Sequence, residues 1–248
     1  MQDVPRIRAA RWTDKGPVAA LIADAINSST LAEWLVPDPR QRRRILADVL
    51  EIWVEHAMFY GDIHITDDLS ATTVGFHRYR AIPPPANYPD RLTDAAGPHA
   101  HRFDTLDQIL TGQRPTEPHY HLAFLAVAAR AQGTMRGSAI LNHHRNRLDH
   151  IDPPSWTATT SESQHLYTRY GYISRPAITL PDGPTICPMR RNPDRPVDAW
   201  PATKAHSSLS THATTTSNPR QEGGRSDRGS SDPTGTATPA AAPKLLPM

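Results

Sequence analysis

The sequence predicts an α/β (α+β) domain followed by a tail that does not fold. Three observations carry this. Short apolar or alternating runs that suit strands are interleaved with segments whose apolar residues recur every three or four positions, as helices require. The apolar run Leu122–Val127 has the length of a buried strand and leads into a glycine-bearing turn and a second helical pattern. After Asn192 the composition shifts to Ser, Thr, Pro, Gly and Ala, with no aromatic residue beyond Trp200. Such a segment cannot bury enough apolar surface to offset its chain entropy. Residues 1–192 therefore read as the folded domain and 193–248 as a disordered tail without repeats.

Composition narrows the class. Hydrophobic residues make up 38% of the 248, low for a chain folded throughout, and 25 prolines are many. A formal net charge of +2 gives no reason to expect a nucleic-acid partner. The single cysteine, Cys187, rules out an internal disulfide and fits a reducing cytoplasm. No apolar run reaches the roughly 18 residues of a membrane span. The N-terminus lacks the apolar core of a secretory signal.

The elements follow in order. Ile7–Arg11 alternates weakly, as a first strand. Thr13 or Asp14 can cap the next helix, with Pro17 near its first turn and Val18, Leu21, Ile22, Ala25 and Ile26 on its apolar face. Ser28-Ser29 breaks it, and 31–37 reads as a connection holding Trp34. Pro39 opens a helix over 40–58, with Ile45, Leu46, Val49, Ile52, Trp53 and Ala57 on one side. Its Arg40, Arg42, Arg43 and Arg44 are either a solvated face or a site for an acidic group. Residues 62–66 and 71–79 read as a hairpin turning at 67–70. The proline-rich stretch to Pro118 is a long connection with one short helix over 104–112.

After the strand at 122–127, a turn over 128–132 leads through Gly133 and Gly137 to a helix starting near Ser138. Its stripe is Ile140, Leu141, His144 and Leu148, and the polar run 142–147 suggests exposure and an early end. Unpaired N–H groups and the positive dipole end at such a helix mouth suit a phosphate. Residues 156–160 read as a strand, Ser161 as the cap of a short helix, and Gly171 as its left-handed terminator. A strand over 172–180, the turn Pro181-Asp182-Gly183 and a strand over 185–190 close the domain.

Two motifs resemble the GCN5-related N-acetyltransferases. Val127 followed by Gln132-Gly133-Thr134-Met135-Arg136-Gly137 is similar to the family's acyl-CoA-binding strand and Gln/Arg-x-x-Gly-x-Gly/Ala helix start, with Met135 in place of the middle glycine. Leu166-Tyr167-Thr168-Arg169-Tyr170-Gly171-Tyr172 is similar to its Leu-Tyr-x-x-x-Gly-Phe/Tyr segment. The segments AEWLVPDPRQRRR, IPPPANYPDRL and LPDGPTICPMRR look like a bacterial branch, so the resemblance spans residues 6–191. It implies a mixed, mostly antiparallel sheet flanked by helices. It further implies acetyl-CoA as co-substrate without a metal, and direct attack by the primary amine of a small molecule or protein. On this resemblance the amides from Gln132 to Ser138, including Gly133, Thr134, Met135, Arg136 and Gly137, hold the pyrophosphate. Leu125, Ala126, Val127 and Ser163 also line the cofactor. The Arg cluster becomes a candidate for the adenosine phosphate of CoA.

The chemistry has three needs. A backbone amide must meet the developing oxyanion, and in this family it comes from the Leu125–Val127 strand where it splays from its neighbour. The leaving thiolate needs a proton, and Tyr167 stands at the family's position for the acid. It reads equally as a core tyrosine. A thiol at about 8.5 against a tyrosine at about 10 makes full transfer uphill by roughly 2 kcal/mol, so the hydroxyl must be hydrogen-bonded, its pKa depressed, or its proton released with C–S cleavage. Neutralising a lysine-like amine costs roughly 4–5 kcal/mol at pH 7, so a base helps. The family's frequent Glu and Asn positions are Thr157 and Ser163 here, which leaves His119, His121 and Glu162 as candidate bases. His119 and His121 share one strand face, but neither they nor His143 and His144 have helical metal-ligand spacing. A degenerate relative that binds acyl-CoA or a partner without turnover, and an interaction protein with a basic helix or tail, are the alternative readings.

Overall fold

A computed structural model describes residues 6–151 and 153–192. The tail expected over 193–248 lies outside the described residues.

The chain opens with β1 (Ile7–Ala9) and a 3-10 turn, then α1 (Lys15–Ile26). Asp14 does not cap α1 through its side chain. It reaches back to the Arg11 N–H at 2.7 Å and takes the Arg8 guanidinium at 2.7 Å. The expected connection at 31–37 contains a short helix, α2 (Thr30–Leu35). Ser29 caps it, accepting the Ala32 N–H at 3.2 Å. Asp38 and Pro39 start α3 (Pro39–Tyr60) as cap and first residue. Three of its arginines make contacts within the domain. Arg42 is buried and donates to the carbonyls of Val36, Pro37 and Asn27 at 2.7–3.1 Å, while Arg43 pairs with Asp24 and Arg44 with Asp48.

Strands β2 (Gly61–Thr66) and β3 (Ala71–Arg78) form the expected hairpin. The proline-rich connection holds two helices rather than one, α4 (Tyr88–Ala96) and α5 (Ala100–Gly112). Buried Tyr88 joins them by donating to Asp107 at 2.5 Å. This contact spans 19 residues, so no local pattern announces it.

Next come β4 (His119–Val127), α6 (Arg136–Ile151), β5 (Ser155–Thr160), α7 (Gln164–Thr168), β6 (Ile173–Ser174), β7 (Ile178–Thr179) and β8 (Thr185–Arg191). Ser163, not Ser161, precedes α7. The strand expected over 172–180 is two short pieces, β6 and β7, interrupted at Arg175-Pro176, as a residue that cannot donate to a ladder dictates. Gly171 ends α7 at φ +82°, and the Tyr172 N–H reaches the Tyr167 carbonyl at 3.2 Å.

The strands form one sheet in the order β1-β2-β3-β4-β5-β8-β6, with β7 also on β8. Among the described strands only β4 and β5 pair in parallel, and the strand order places β4 in the interior of the sheet. One face packs on α1–α5 through Ile63, Ile65, Val74, Phe76 and the helix apolar faces. Trp53 of α3 sits edge-on to Phe76 and Tyr88 there. The other face carries Tyr120, Leu122 and Met189 under α6 and α7.

Polar α6 runs a full 16 residues rather than ending early. Ile140, Leu141, His144 and Leu148 are buried as its stripe predicts. Charge supplies the rest. Arg147 donates to Asp62 of β2 at 2.9 Å, and Arg191 pairs with Asp149. Asp62 also accepts the hydroxyl of buried Tyr120 and lies 3.3 Å from His77. Burial alone would raise the Asp62 pKa, but the hydrogen bonds from His77 and Tyr120 and the Arg147 charge outweigh it and hold the carboxyl well below its usual range. Tyr120 fits because position 75 is glycine: a Cβ there would lie 1.8 Å from its hydroxyl.

Candidate active site

The site begins where β4 and β5 part. Tyr120 and His121 pair with Ser155 and Trp156, and there the pairing ends. Beyond it β4 follows β3 to Val127 and β5 follows β8 to Thr160. The β3–β4 register accounts for the divergence. Val74 faces Phe124 and Gly75 faces Leu122, so Ala123 is an extra residue in β4. Such a bulge bends its strand and increases the twist.

The fork leaves residues in mid-sheet half-buried: Ala123, Phe124, Leu125 and Val127 on one side, and Ala158, Thr159 and Thr160 on the other. The Ala128 N–H donates to Ser70 beyond β3 at 2.8 Å. Alternation along β4 then turns the peptide groups of Leu125 and Val127 toward the gap. Ala126 faces Thr72 of β3 instead, with its side chain in the α3-side core.

The mouth of α6 stands at the open end of the fork. Gly133 has φ +76°, which favours glycine. Met135 follows at φ +63°, the left-handed region that glycine would occupy without cost. Its side chain is 73% exposed and so leaves the loop interior clear. Arg136, Gly137 and Ser138 form the first turn, and the Ala139 N–H bonds the Met135 carbonyl at 2.8 Å. The three N–H groups of that first turn have no intrahelical partner. A Cβ at Gly137 would meet Val127 Cγ2 at 3.1 Å, so glycine lets the helix mouth close on the strand end. Thr134 and Arg136 brace the loop at 3.0 Å, and Arg136 reaches Asp68 at 3.3 Å. Gln132 Nε2 lies 3.5 Å from the Val127 carbonyl. Free N–H groups at the positive end of a 16-residue helix fit an anion such as a pyrophosphate.

Two titratable side chains flank the start of the fork from opposite faces of the sheet. His121 is in the last residue pair and points to the α3 side, where its ring lies 4.6 Å from that of Trp156. It is buried, and its Nδ1 has no hydrogen-bond partner among the described residues. Burial, then the positive charges of Arg78 and Arg114, push its pKa well below the usual value, so the ring is neutral near pH 7. Tyr167 lies on the α6 side, edge-on to Tyr172 at 5.6 Å. Burial raises its pKa, opposed by a hydrogen bond with Thr157. Of the three routes open to this hydroxyl, a depressed pKa is the one the structure does not supply.

The other candidates lie elsewhere. His119 is buried on the His121 side, with Nδ1 bonded to the Glu117 carbonyl at 2.8 Å. Glu162 and Ser163 are exposed past the far end of β5. The site residues that the sequence missed are Trp156, Glu117, Arg175 and Arg190. They come from four separate segments, and no local spacing relates them.

No protein-family model matches the chain, and no curated protein matches it. Solved structures do. A Corynebacterium glutamicum protein titled histone acetyltransferase HPA2 and related acetyltransferase superposes with a TM-score of 0.60 at 23% identity, over 79% of this chain and 99% of that one. An N-acetyltransferase from Staphylococcus aureus gives 0.51 at 15% identity, over 75% and 99%. Arylalkylamine N-acetyltransferase 2 from Aedes aegypti gives 0.50 at 12%, over 77% and 99%. At these identities the likeness is one of fold.

Proposed function

We propose that this chain, which has the fold of the GCN5-related N-acetyltransferases, is an acetyl-CoA-dependent N-acetyltransferase acting on a primary amine by direct attack. One observation carries the reading: the β4–β5 fork leads from a neutral buried histidine to a helix mouth whose amides are free. Acetyl-CoA supplies the activated acetyl thioester. The amides of Arg136, Gly137 and Ser138 would hold its pyrophosphate, and Leu125 and Val127 present peptide groups along the gap.

The protein's own groups then divide the proton traffic by face. His121 Nδ1 takes the proton of the attacking amine from the α3 side. A base must be unprotonated to serve, and burial keeps this ring so; the same burial makes it a weak base, so it accepts the proton only as the N–C bond forms. The Tyr167 hydroxyl works from the α6 side. Its raised pKa makes complete proton transfer costlier than the roughly 2 kcal/mol of an ordinary tyrosine, so its contribution is a hydrogen bond to the departing sulfur.

Thermal melting with acetyl-CoA tests the binding half. Ligand at about 100 times its dissociation constant adds about 2.7 kcal/mol of stability. No shift at millimolar concentration overturns the proposal. For the chemistry, His121→Gln should lower kcat/KM by about 10²–10⁴-fold, and Tyr167→Phe should slow CoA release by less while acetyl-CoA affinity holds. Equal rates in wild type and variants would remove both residues from the mechanism.

A further inference from the structure

Beside the start of the fork, on the His121 side, lies a cavity of about 300 Å³. Trp156 forms its wall, with Gln113, Glu117, Arg175, Pro188 and Arg190 around it. Trp156 is also in the last β4–β5 pair, so the cavity adjoins the start of the fork. Its charge is uneven. Glu117, the only carboxylate in the lining, is paired with Arg190 at 2.6 Å. Exposed Arg175 has no carboxylate within ion-pair distance among the described residues.

Further cations stand close by. Arg114 lies between two lining residues. Arg78 of β3 and Arg114 are both near enough for their charges to lower the His121 pKa. Among the described lining residues, two arginines meet one carboxylate.

We infer that the acceptor is an amine that also carries an anionic group, a carboxylate or a phosphate, seated against Arg175 and Arg190 with its carbon skeleton on Trp156. This rests on the N-acetyltransferase reading and adds the substrate class to it. In the transfer, the amine nitrogen gains the acetyl carbon as the C–S bond breaks, and the displaced amine proton goes to His121. The cationic field disfavours polyamines and lysine-rich tails.

The test uses the full chain and amine pairs matched in carbon skeleton: β-alanine against propylamine, O-phosphoethanolamine against ethanolamine, and tryptophan against tryptamine, with spermidine as polycation. Release of the CoA thiol is followed for each. The anionic member of at least one pair should show a kcat/KM at least tenfold higher, and which pair responds separates carboxylate from phosphate. Arg175→Gln, at an exposed rim position, should cut that preference at least threefold, mainly through KM. Equal turnover within every pair, or preference for spermidine, overturns the inference.

Calorimetric titration of the same pairs into protein without acetyl-CoA reads the cavity alone. At least tenfold tighter binding of an anionic member supports the anion seat at Arg175 and Arg190; where no CoA is released, that seat stands and the acceptor role is overturned with the transfer reading. Equal or reversed binding overturns the seat.

Discussion

Helices α3 and α6 lie on opposite faces of one sheet and are held by different forces. α3 buries a continuous apolar face, including Ile45, Leu46, Val49, Ile52, Trp53 and Ala57. α6 buries a four-residue stripe and adds Arg147 on Asp62 and Arg191 on Asp149. The difference matters because α6 carries the free amides of the candidate site. Its far end is anchored by charged pairs as well as by its stripe, whereas α3 is positioned by apolar area that degrades gradually.

The largest test of this contrast is Asp62→Ala. It would strand Arg147, the Tyr120 hydroxyl and His77 together, at a cost of about 3–5 kcal/mol in urea unfolding. A loss under about 1 kcal/mol would mean that the apolar stripe holds α6 unaided. Leu46→Ala on α3 should cost about 2–5 kcal/mol through its cavity alone.

Acid comes next. Burial lowers His64 to about 4 and His144 to about 3 on the α6 side, and His56 to about 4 on the α3 side. Each binds its proton more readily unfolded. Stability is therefore complete above about 6.5 and falls by roughly 1.4 kcal/mol per pH unit per histidine down to the folded value. Asp107, raised to about 8, acts in the opposite sense, favouring the fold at low pH and losing that advantage as pH climbs from about 4 to about 8. Neither ring nitrogen of His144 has a hydrogen-bond partner among the described residues, so His144→Leu should flatten the acid limb by one histidine. An unchanged slope in thermal melts would place the acid sensitivity elsewhere. The smallest expected effect is Met135→Gly, which relieves the left-handed backbone at the mouth of α6 and should change stability by less than about 1 kcal/mol. A large loss of acetyl-CoA affinity would show that the methionine packs on the ligand.

The legible parts were those with local periodicity or local punctuation. The α3 stripe, the hairpin at 67–70, the left-handed glycine at 171 and the strand feeding a glycine turn all declare themselves within a dozen residues. Even Ile140, Leu141, His144 and Leu148 were readable as a face. The full length of α6 was not, because Asp62 lies 85 residues from Arg147. The helix α4 was hidden for a similar reason: its buried tyrosine answers an aspartate on α5. At the site, the helix mouth could be found from spacing, and the pairing of His121 with Trp156 could not, since it is set by where two distant strands stop touching.

Gly75 sets a restriction on how this sequence can vary. Any side chain at position 75 would drive the Tyr120 hydroxyl out of its seat and deprive Asp62 of a donor. Positions 75 and 120 therefore vary together: a larger residue at the first is tolerable only alongside an aliphatic at the second, and Asp62 then relies on Arg147 and His77 alone.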